Sequence, residues 1–580
     1  MIKQLAKSIR EYKKPAILTL IFIVGEVFLE VLIPFITANL VNGIKASSPM
    51  SEVVKIGLEL LAMALVSLAC GAIAAYTCSN ASSGFAKNLR HDIYERIQSF
   101  SFANVDRFSE ASLVTRMTTD IQNVQMSFMM LIRTAIRCPL MIVFAVIMAF
   151  IMGGKLALTF VVVIPVLGLG MYLVAKFAMP AFRAVFRKYD RLNESIEENV
   201  RAMRVVKGFA RENYEKQKFN TASDSIKKDF TRAERIVAIN EPLMQFCMYF
   251  NMVFVYAVGS RMVITGQGQQ IDVGQLSAMT TYGVQVLMSL MMVGAIYVIL
   301  TMSVESAERI CEVLNEQPAI VNPEHPEMAV ADGSVSFENV SFKYSDKAKK
   351  FALSEINLDI ASGMTVGILG GTGSSKTTLI QLIPRLYDVT EGSVKVGGVD
   401  VRDYDLETLR NAVSVVLQKN LLFAGTIKEN LRWGNPVATD EEIVEACKLA
   451  CADEFISTFP EEYDTHIEQG GTNVSGGQKQ RLCIARALLK KPKILILDDS
   501  TSAVDMKTDA LIRKGFRNYI PETTKIIIAQ RVASVMDADM IVLMDNGKIS
   551  ATGTHDGLME TSEVYREIYE QQTGGGDFDE

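Results

Sequence analysis

Two short motifs in the second half of the chain carry residue types suited to phosphate and metal chemistry. The first motif follows the apolar run VGIL and comprises Gly370, Gly371, Thr372, Gly373, Ser374, Ser375, Lys376, Thr377 and Thr378. It fits the phosphate-loop pattern G-x-x-x-x-G-K-S/T, except that Ser375 replaces the second glycine. Backbone N–H groups of such a loop bind phosphates, the lysine contacts the β and γ oxygens, and the threonine hydroxyl binds Mg²⁺. We therefore expect ATP and Mg²⁺ binding, with Ser375 in a modestly strained turn.

The second motif is ILILDD, an apolar run that ends in Asp498 and Asp499. A buried strand of this kind delivers a carboxylate to a metal, and Asp498 is predicted to hold Mg²⁺ through a water molecule. Between the two motifs lies VSGGQ, where Ser475, Gly476, Gly477 and Gln478 precede a helix. Helix-start N–H groups bind anions, although SGGQ by itself indicates only a capped helix.

These motifs must be positioned by an α/β domain, because strands and helices alternate from about residue 334. The first half is different in character, since the 580-residue chain is 49% hydrophobic and has a mean hydropathy of +0.21. Six stretches are apolar enough to cross about 30 Å of hydrocarbon. They lie at 16–41, 54–79, 126–151, 155–178, 242–265 and 274–303.

The long connections after the second and fourth spans, like the N-terminus, are rich in Lys and Arg, which places them in the cytoplasm. The N-terminal segment is interpreted as an uncleaved segment at the membrane surface. The sequence thus predicts an all-α six-helix transmembrane domain at 1–320, a linker at 321–332, an α/β P-loop domain at 333–572 and a flexible tail at 573–580. The net charge of −6 gives no reason to expect nucleic acid binding, and the eight scattered cysteines suggest a reducing compartment.

Several of the predicted spans contain charged residues, and two of them carry a pair. Glu26 and Glu30 are four apart in the first span, and Arg133 and Arg137 are four apart in the third. A charged side chain at membrane depth is energetically costly, so such a side chain is expected to face the interior of the helix bundle or water. Two interpretations remain open: a structural role, as an ion pair between helices or at an interfacial position, or the lining of a polar translocation cavity.

The order of phosphate loop, VSGGQ and ILILDD, after six spans with two long cytoplasmic extensions, resembles ATP-binding cassette transporters, in the layout of an exporter half-transporter. The resemblance implies that Tyr344 stacks on adenine, that Gln418 reaches Mg²⁺, and that Ser475–Gln478 contact the γ-phosphate of ATP held by the opposite subunit. It also places Ser502–Asp505 at the dimer interface. Segments 102–110 and 199–207 match the short coupling helices that dock on the cassettes.

Two positions depart from the family pattern. Asp499 stands where the family has a glutamate, the general base, and Gln530 stands at the switch position, where it has a histidine. Aspartate is one methylene shorter, and an amide cannot perform imidazole chemistry. Because both changes flank one γ-phosphate, the pattern resembles the degenerate-site subunit of a heterodimeric bacterial multidrug exporter. A partner half-transporter would then supply the hydrolytic Walker motifs, while this chain supplies an intact signature.

The expected function is ATP-driven export of hydrophobic or amphipathic compounds across a bacterial inner membrane, with the nucleotide-binding domain in the cytoplasm. Membrane lipid and a hydrophobic small molecule are the expected partners besides the second subunit. Two alternatives stay open: a membrane regulator that uses ATP as a clamp without transport, and a homodimeric lipid or peptide exporter with slow sites.

Overall fold

The computed structural model describes residues 1–266, 271–345, 347–499 and 504–573. It divides into two compact units. The first contains Met1–Gln98 and Glu110–Glu316, and the second contains Ser99–Ser109 and Gln317–Glu580. Residues 99–109 therefore group with the C-terminal unit, whereas the sequence placed them inside a continuous membrane domain. The predicted tail falls, apart from Thr573, outside the described residues, and so do Ser502 and Ala503 of the predicted interface loop.

The N-terminal half is helical. Its helices, in chain order, are α1 (Ile2–Leu5), α2 (Lys13–Lys45), α3 (Met50–Gln98), α4 (Phe102–Phe108), α5 (Glu110–Thr115), α6 (Ile121–Ile132), α7 (Thr134–Gly153), α8 (Leu158–Arg201), α9 (Met203–Gly208), α10 (Glu212–Val237), α11 (Asn240–Thr265) and α12 (Val273–Asn315). Short 3₁₀ helices at Ala6–Tyr12 and Gly154–Ala157 and a π-helical turn at Arg116–Asp120 complete it. Helix α4 belongs to the second unit.

Five helical runs among the described residues are long and apolar enough to cross a membrane: Ile2–Lys45, Met50–Gln98, Glu110–Phe182, Glu212–Thr265 and Val273–Asn315. The third has 73 residues, and a straight helix of that length would extend about 110 Å. It is interrupted at Gly154, where φ is +48°, and its two halves contain the predicted third and fourth spans. A left-handed φ of this kind is natural for glycine and ends helix α7.

The two glutamates of the first predicted span contact an arginine of the third predicted span. Arg137 on α7 donates to both carboxylate oxygens of Glu30 on α2 at 2.7 Å, and its Nε lies 3.5 Å from Glu26 Oε1. Of the two interpretations left open by the sequence, the structure shows the ion pair between helices. Arg133 lies at the break between α6 and α7, with φ −107° and ψ −68°.

The C-terminal unit alternates strands and helices. In chain order these are β1 (Val335–Phe342), β2 (Leu353–Ile360), β3 (Thr365–Leu369), α13 (Lys376–Gln381), β4 (Glu391–Val396), β5 (Val399–Asp400), α14 (Leu406–Ala412), β6 (Val413–Val416), β7 (Gly425–Thr426), α15 (Ile427–Arg432), α16 (Asp440–Leu449), α17 (Asp453–Ile456), β8 (His466–Ile467), α18 (Gly476–Leu489), β9 (Ile494–Asp498), α19 (Met506–Tyr519), β10 (Thr524–Ile528), β11 (Met540–Asp545), β12 (Lys548–Gly553), α20 (His555–Thr561) and α21 (Glu563–Thr573).

The main sheet has the order β12-β11-β3-β10-β9-β6, parallel except for β12 at the edge. Strands β9 and β10 are buried along their whole length, as expected for parallel strands covered on both faces. Ile528 of β10 pairs with both Asp498 of β9 and Ile368 of β3. The segments that follow these three strands therefore leave the sheet at one edge. A second, antiparallel sheet has the order β2-β1-β4-β5.

The predicted fold class, a helical membrane domain followed by an α/β P-loop domain, is confirmed. The predicted boundary near residue 320 and the linker at 321–332 stay predictions.

Candidate nucleotide site

The phosphate loop connects β3 to α13 and is built from left-handed backbone. Gly370, Gly373 and Ser375 have φ values of +155°, +86° and +70°. A side chain at Gly370 would place its Cβ 2.3 Å from the carbonyl oxygen of Met544, so only glycine fits there. Ser375, the residue that replaces the second glycine of the pattern, adopts the left-handed conformation in which glycine is unstrained.

Space is open on the other side of this loop. A Cβ built on Gly371 or Gly373 would have no neighbour within 4 Å among the described residues. Lys376 folds over the loop, and its ammonium donates to the carbonyl oxygens of Gly370 at 2.7 Å and Gly371 at 2.8 Å. Burial lowers the pKa of Lys376, while the charges of Asp498 and Asp499 oppose that shift. An open cradle with a cation at its rim fits the phosphates of ATP.

Thr377 and Asp498 carry oxygen atoms of the kind that Mg²⁺ prefers. The Thr377 hydroxyl donates to Asp498 Oδ2 at 2.9 Å, joining the first turn of α13 to the end of β9. Asp498 is only 3% exposed, and this burial raises the pKa of its carboxyl group. A threonine hydroxyl beside a carboxylate suits a hard cation, so the residues present fit Mg²⁺.

The two predicted catalytic residues, Asp499 and Gln530, contact each other. The side-chain amide of Gln530 donates to Asp499 Oδ2 at 2.8 Å, and the Gln418 side chain hydrogen-bonds the same carboxylate. Burial raises the pKa of Asp499, and these two amides act in the opposite direction. Gln418 is therefore brought to Asp499, while its predicted role at Mg²⁺ stays a prediction.

The backbone of Asp499 is itself unusual, with φ at +49°. Its N–H still donates to the carbonyl of Ile528 at 3.0 Å, which holds the residue at the end of the sheet. Among non-glycine residues, aspartate and asparagine are enriched in this left-handed region. The backbone at this position is thus compatible with aspartate.

Tyr344 lies beside the phosphate-loop helix. Its hydroxyl is 2.8 Å from the Thr378 hydroxyl, and the residue is 51% exposed. The ring also meets Tyr387 edge-on, with the centroids 5.3 Å apart. Tyr387 in turn donates to Asp106 of α4 at 2.6 Å and packs on Phe102 at 6.1 Å. Helix α4 occupies most of the predicted coupling segment 102–110.

The predicted signature residues lie at the start of α18. Ser475 caps the helix in a reciprocal pair with Gln478, with bonds of 2.9 and 3.3 Å. Among the described residues, the hydrogen bonds of Ser475–Gln478 close on one another and do not reach Lys376 or Thr377. Ser475 and Gly476 are exposed at the surface. The structure of one chain thus brings Thr377, Asp498, Asp499, Gln418 and Gln530 together and leaves the signature apart.

Sequence reasoning missed two side chains near the site. Gln480 is buried within α18 and donates to the main-chain oxygen of Asp499 at 3.5 Å. Its position two residues after the signature was a usable signal, because the helix turns it inward. Tyr387 lies nine residues after Thr378, and no local pattern announces its contact with α4.

A helical membrane domain joined to a P-loop domain with a downstream signature helix defines a membrane transporter powered by a nucleotide. Residues 16–290 match the family model of the ABC transporter transmembrane region, and residues 353–502 match the ABC transporter model. Over 569 residues the chain is 34% identical to the uncharacterized ABC transporter ATP-binding protein YfiB of Bacillus subtilis, covering 98% of each. The chain belongs to the ABC transporter family.

Two further similar proteins are consistent with this family. The chain is 33% identical over 480 residues to a fatty acid ABC transporter ATP-binding/permease protein of Mycobacterium tuberculosis, covering 83% of this chain and 75% of that protein. A bacterial Atm1-family ABC exporter with ATP bound has a TM-score of 0.82 at 22% identity, covering 97% of this chain and 98% of that one. This last similarity shows that the chain shares the fold of that protein. Family membership implies an integral membrane protein that binds ATP and couples it to transport.

Proposed function

We propose that this chain is one subunit of a heterodimeric exporter that moves hydrophobic or amphipathic compounds out of the cytoplasm. Its own phosphate loop forms a degenerate site that holds Mg·ATP and cleaves it slowly. Its intact signature serves the fast site, whose Walker motifs belong to a second half-transporter. The complex would lie in a bacterial inner membrane with both nucleotide-binding domains in the cytoplasm.

The Asp499–Gln530 pair carries this proposal. A general base contributes about 10²–10⁴-fold to a hydrolytic step and must reach the attacking water. The Asp499 carboxylate is about 1 Å shorter in reach than a glutamate, a displacement that matters at reaction distances. It also accepts a hydrogen bond from the Gln530 amide, which engages one of its oxygens. An amide at position 530 neither accepts nor delivers a proton as an imidazole does.

The groups expected to bind ATP, in contrast, are retained in this chain. Lys376 supplies a positive charge for the β and γ oxygens, the loop N–H groups supply donors, and Thr377 and Asp498 are the residues that would hold Mg²⁺. When bound, Mg²⁺ neutralises phosphate charge and orients the phosphates. Tyr344, an exposed residue, supplies a ring for adenine. A site with these groups and a weakened base is expected to bind ATP and to hydrolyse it slowly.

The signature supports the heterodimer part of the proposal. Ser475–Gln478 are present in full at the start of α18, and Ser475 and Gly476 are exposed, so they are available to a nucleotide on another subunit. Degeneration that is confined to the phosphate-loop side is expected when the two sites of a dimer have different duties. One relative is named for fatty acids, which supports an amphipathic substrate class for this chain.

The test compares the purified chain alone with the chain co-purified with its partner half-transporter, both in lipid nanodiscs. Alone, the chain should bind Mg·ATP and release phosphate at a small fraction of the rate of the pair. Vigorous hydrolysis by the chain alone would overturn the degenerate-site proposal. In sealed vesicles the pair should move an amphipathic dye when ATP is supplied, and ATP turnover without any vectorial movement would favour the regulator alternative.

A further inference from the structure

The last helix of the chain reaches the segment that carries the switch residue. On α21, the side chain of Gln572 accepts a hydrogen bond from the backbone N–H of Val532 at 2.7 Å. The same side chain donates from Nε2 to the backbone carbonyl of Gln530 at 2.9 Å. One primary amide thus binds two backbone groups of a three-residue segment, Gln530–Val532.

This segment needs such a partner. Ala529 directly follows β10 and still bonds to the sheet, through its N–H to the carbonyl of Ile368 at 3.2 Å. Beyond it the chain leaves the sheet, and Val532 is only 1% exposed. A buried N–H without a partner is costly, and the Gln572 amide oxygen meets that need.

Helix α21 is held firmly enough to act as a fixed support. Tyr565 is fully buried, and its hydroxyl lies 2.7 Å from His555 Nδ1. Ile568 and Tyr569 pack against the same hydrophobic core that contains Val532. The helix and the segment after β10 therefore share one core, which fixes the spacing that Gln572 spans.

We propose that Gln572 is a positioning residue for the nucleotide site: its amide holds Gln530–Val532 in place and so sets the Gln530 side chain against Asp499. The consequence rests on the proposed function, in which this site retains ATP instead of cleaving it. A fixed Gln530 keeps the Asp499 carboxylate engaged, and the end of α21 becomes part of the device that retains the nucleotide.

The experiment uses the full chain in nanodiscs and three variants. Gln572→Ala removes both hydrogen bonds. Gln572→Glu keeps the shape and the acceptor for Val532 but loses the donor and sets a carboxylate against the Gln530 carbonyl. Gln571→Ala is the matched control, because Gln571 is the exposed neighbouring residue on the same helix and its side chain makes no hydrogen bond within the described part of the chain.

Hydrogen exchange measured by mass spectrometry reports the contact directly. In Gln572→Ala, exchange in a peptide spanning Gln530–Val532 should become about 2- to 10-fold faster, the factor that one hydrogen bond supports. Peptides within Glu563–Thr573 should keep their protection. Faster exchange throughout the helix would mean that the residue only stabilises α21, and unchanged exchange at Gln530–Val532 would mean that the contact does not exist in solution. Either result overturns the proposal.

The second readout is the release of a fluorescent ATP analogue from the chain's own site. Gln572→Ala and Gln572→Glu should both release it severalfold faster than the parent, and Gln571→Ala should not. Altered exchange with unchanged release would overturn the positioning role. If the parent chain alone hydrolyses ATP vigorously, the proposed function fails, but the positioning role is still supported when Gln572→Ala lowers kcat and leaves KM unchanged, and overturned when kcat is unchanged.

Discussion

The amide of Gln530 donates to the carboxylate of Asp499 across 2.8 Å, and the two residues follow adjacent strands, β10 and β9. The bond joins the two departures from the family pattern that occur at the catalytic positions. The side chains of Gln530 and Asp499 are together long enough to meet, so the two departures form one hydrogen-bonded pair. This coupling favours a common cause over independent drift.

Ser375→Gly should stabilise the nucleotide-binding domain. Ser375 has φ +70°, and a left-handed residue other than glycine costs about 1–2 kcal/mol, which is offset by about 0.5–1 kcal/mol for the greater chain freedom of glycine. A net gain of about 0.5–1 kcal/mol should raise the midpoint of thermal unfolding by roughly 2 °C. Ser457→Gly is the control. Ser457 has an ordinary φ of −61°, so replacing it with glycine should lower the stability of the domain. A lower midpoint for Ser375→Gly would show that the serine side chain stabilises the loop.

Tyr344→Ala and Tyr344→Phe separate the two contacts of this ring. Stacking on a base is worth about 1–3 kcal/mol, so Tyr344→Ala should weaken ATP binding to the chain's own site by about 5- to 100-fold. Tyr344→Phe keeps the ring and loses only the 2.8 Å contact with the Thr378 hydroxyl, so its affinity should stay within about 3-fold. Equal losses in both variants would assign the effect to the hydroxyl and count against stacking. The measurement is equilibrium titration of the isolated chain with Mg·ATP.

Much of this site follows from local sequence, and some of it does not. The apolar runs before Gly370 and before Asp498 predict buried parallel strands, and the carboxyl ends of such strands meet at one edge, as β3 and β9 do. The left-handed φ of Asp499 has no such signal, because it depends on where the chain must go after β9. The contact of Gln572 with Val532 spans 40 residues, and its geometry is set by packing of α21 on the core.

The membrane half gives a similar lesson. Span length and hydropathy locate the helices, and the i,i+4 spacing of Glu26 and Glu30 places both on one face of α2. That this face meets Arg137 is a matter of helix packing, which the sequence leaves open between two interpretations. Likewise, the grouping of Ser99–Ser109 with the C-terminal unit arises from tertiary contacts such as that between Asp106 and Tyr387.

Lys376→Ala should weaken ATP binding at the chain's own site while sparing turnover of the paired complex. The ammonium is the cation at the rim of the loop, and a charge-assisted bond contributes about 1.5–3 kcal/mol, so the dissociation constant should rise about 10- to 100-fold. Hydrolysis should persist because the fast site uses the lysine of the partner. Lys548→Ala, which removes an exposed lysine paired with Glu355, is the control for lost charge. Complete loss of turnover, with nucleotide still bound at the other site, would contradict this assignment.

Mutations on this one chain should divide by side when the steady-state ATPase of the heterodimer is measured. Asp499→Asn preserves an oxygen to accept from Gln530 and suits the left-handed φ of +49°, so turnover should stay within about 2-fold of the parent because little base catalysis is lost there. Ser475→Ala removes the hydroxyl that caps α18, and a bulky residue at Gly477 blocks close approach to the partner's nucleotide, so both should depress turnover strongly. The three variants need equal expression and equal binding of the partner for the comparison to hold. If Asp499→Asn abolishes turnover as fully as the signature variants do, Asp499 acts as a working base, and the degenerate-site assignment and the heterodimer proposal built on it both fail.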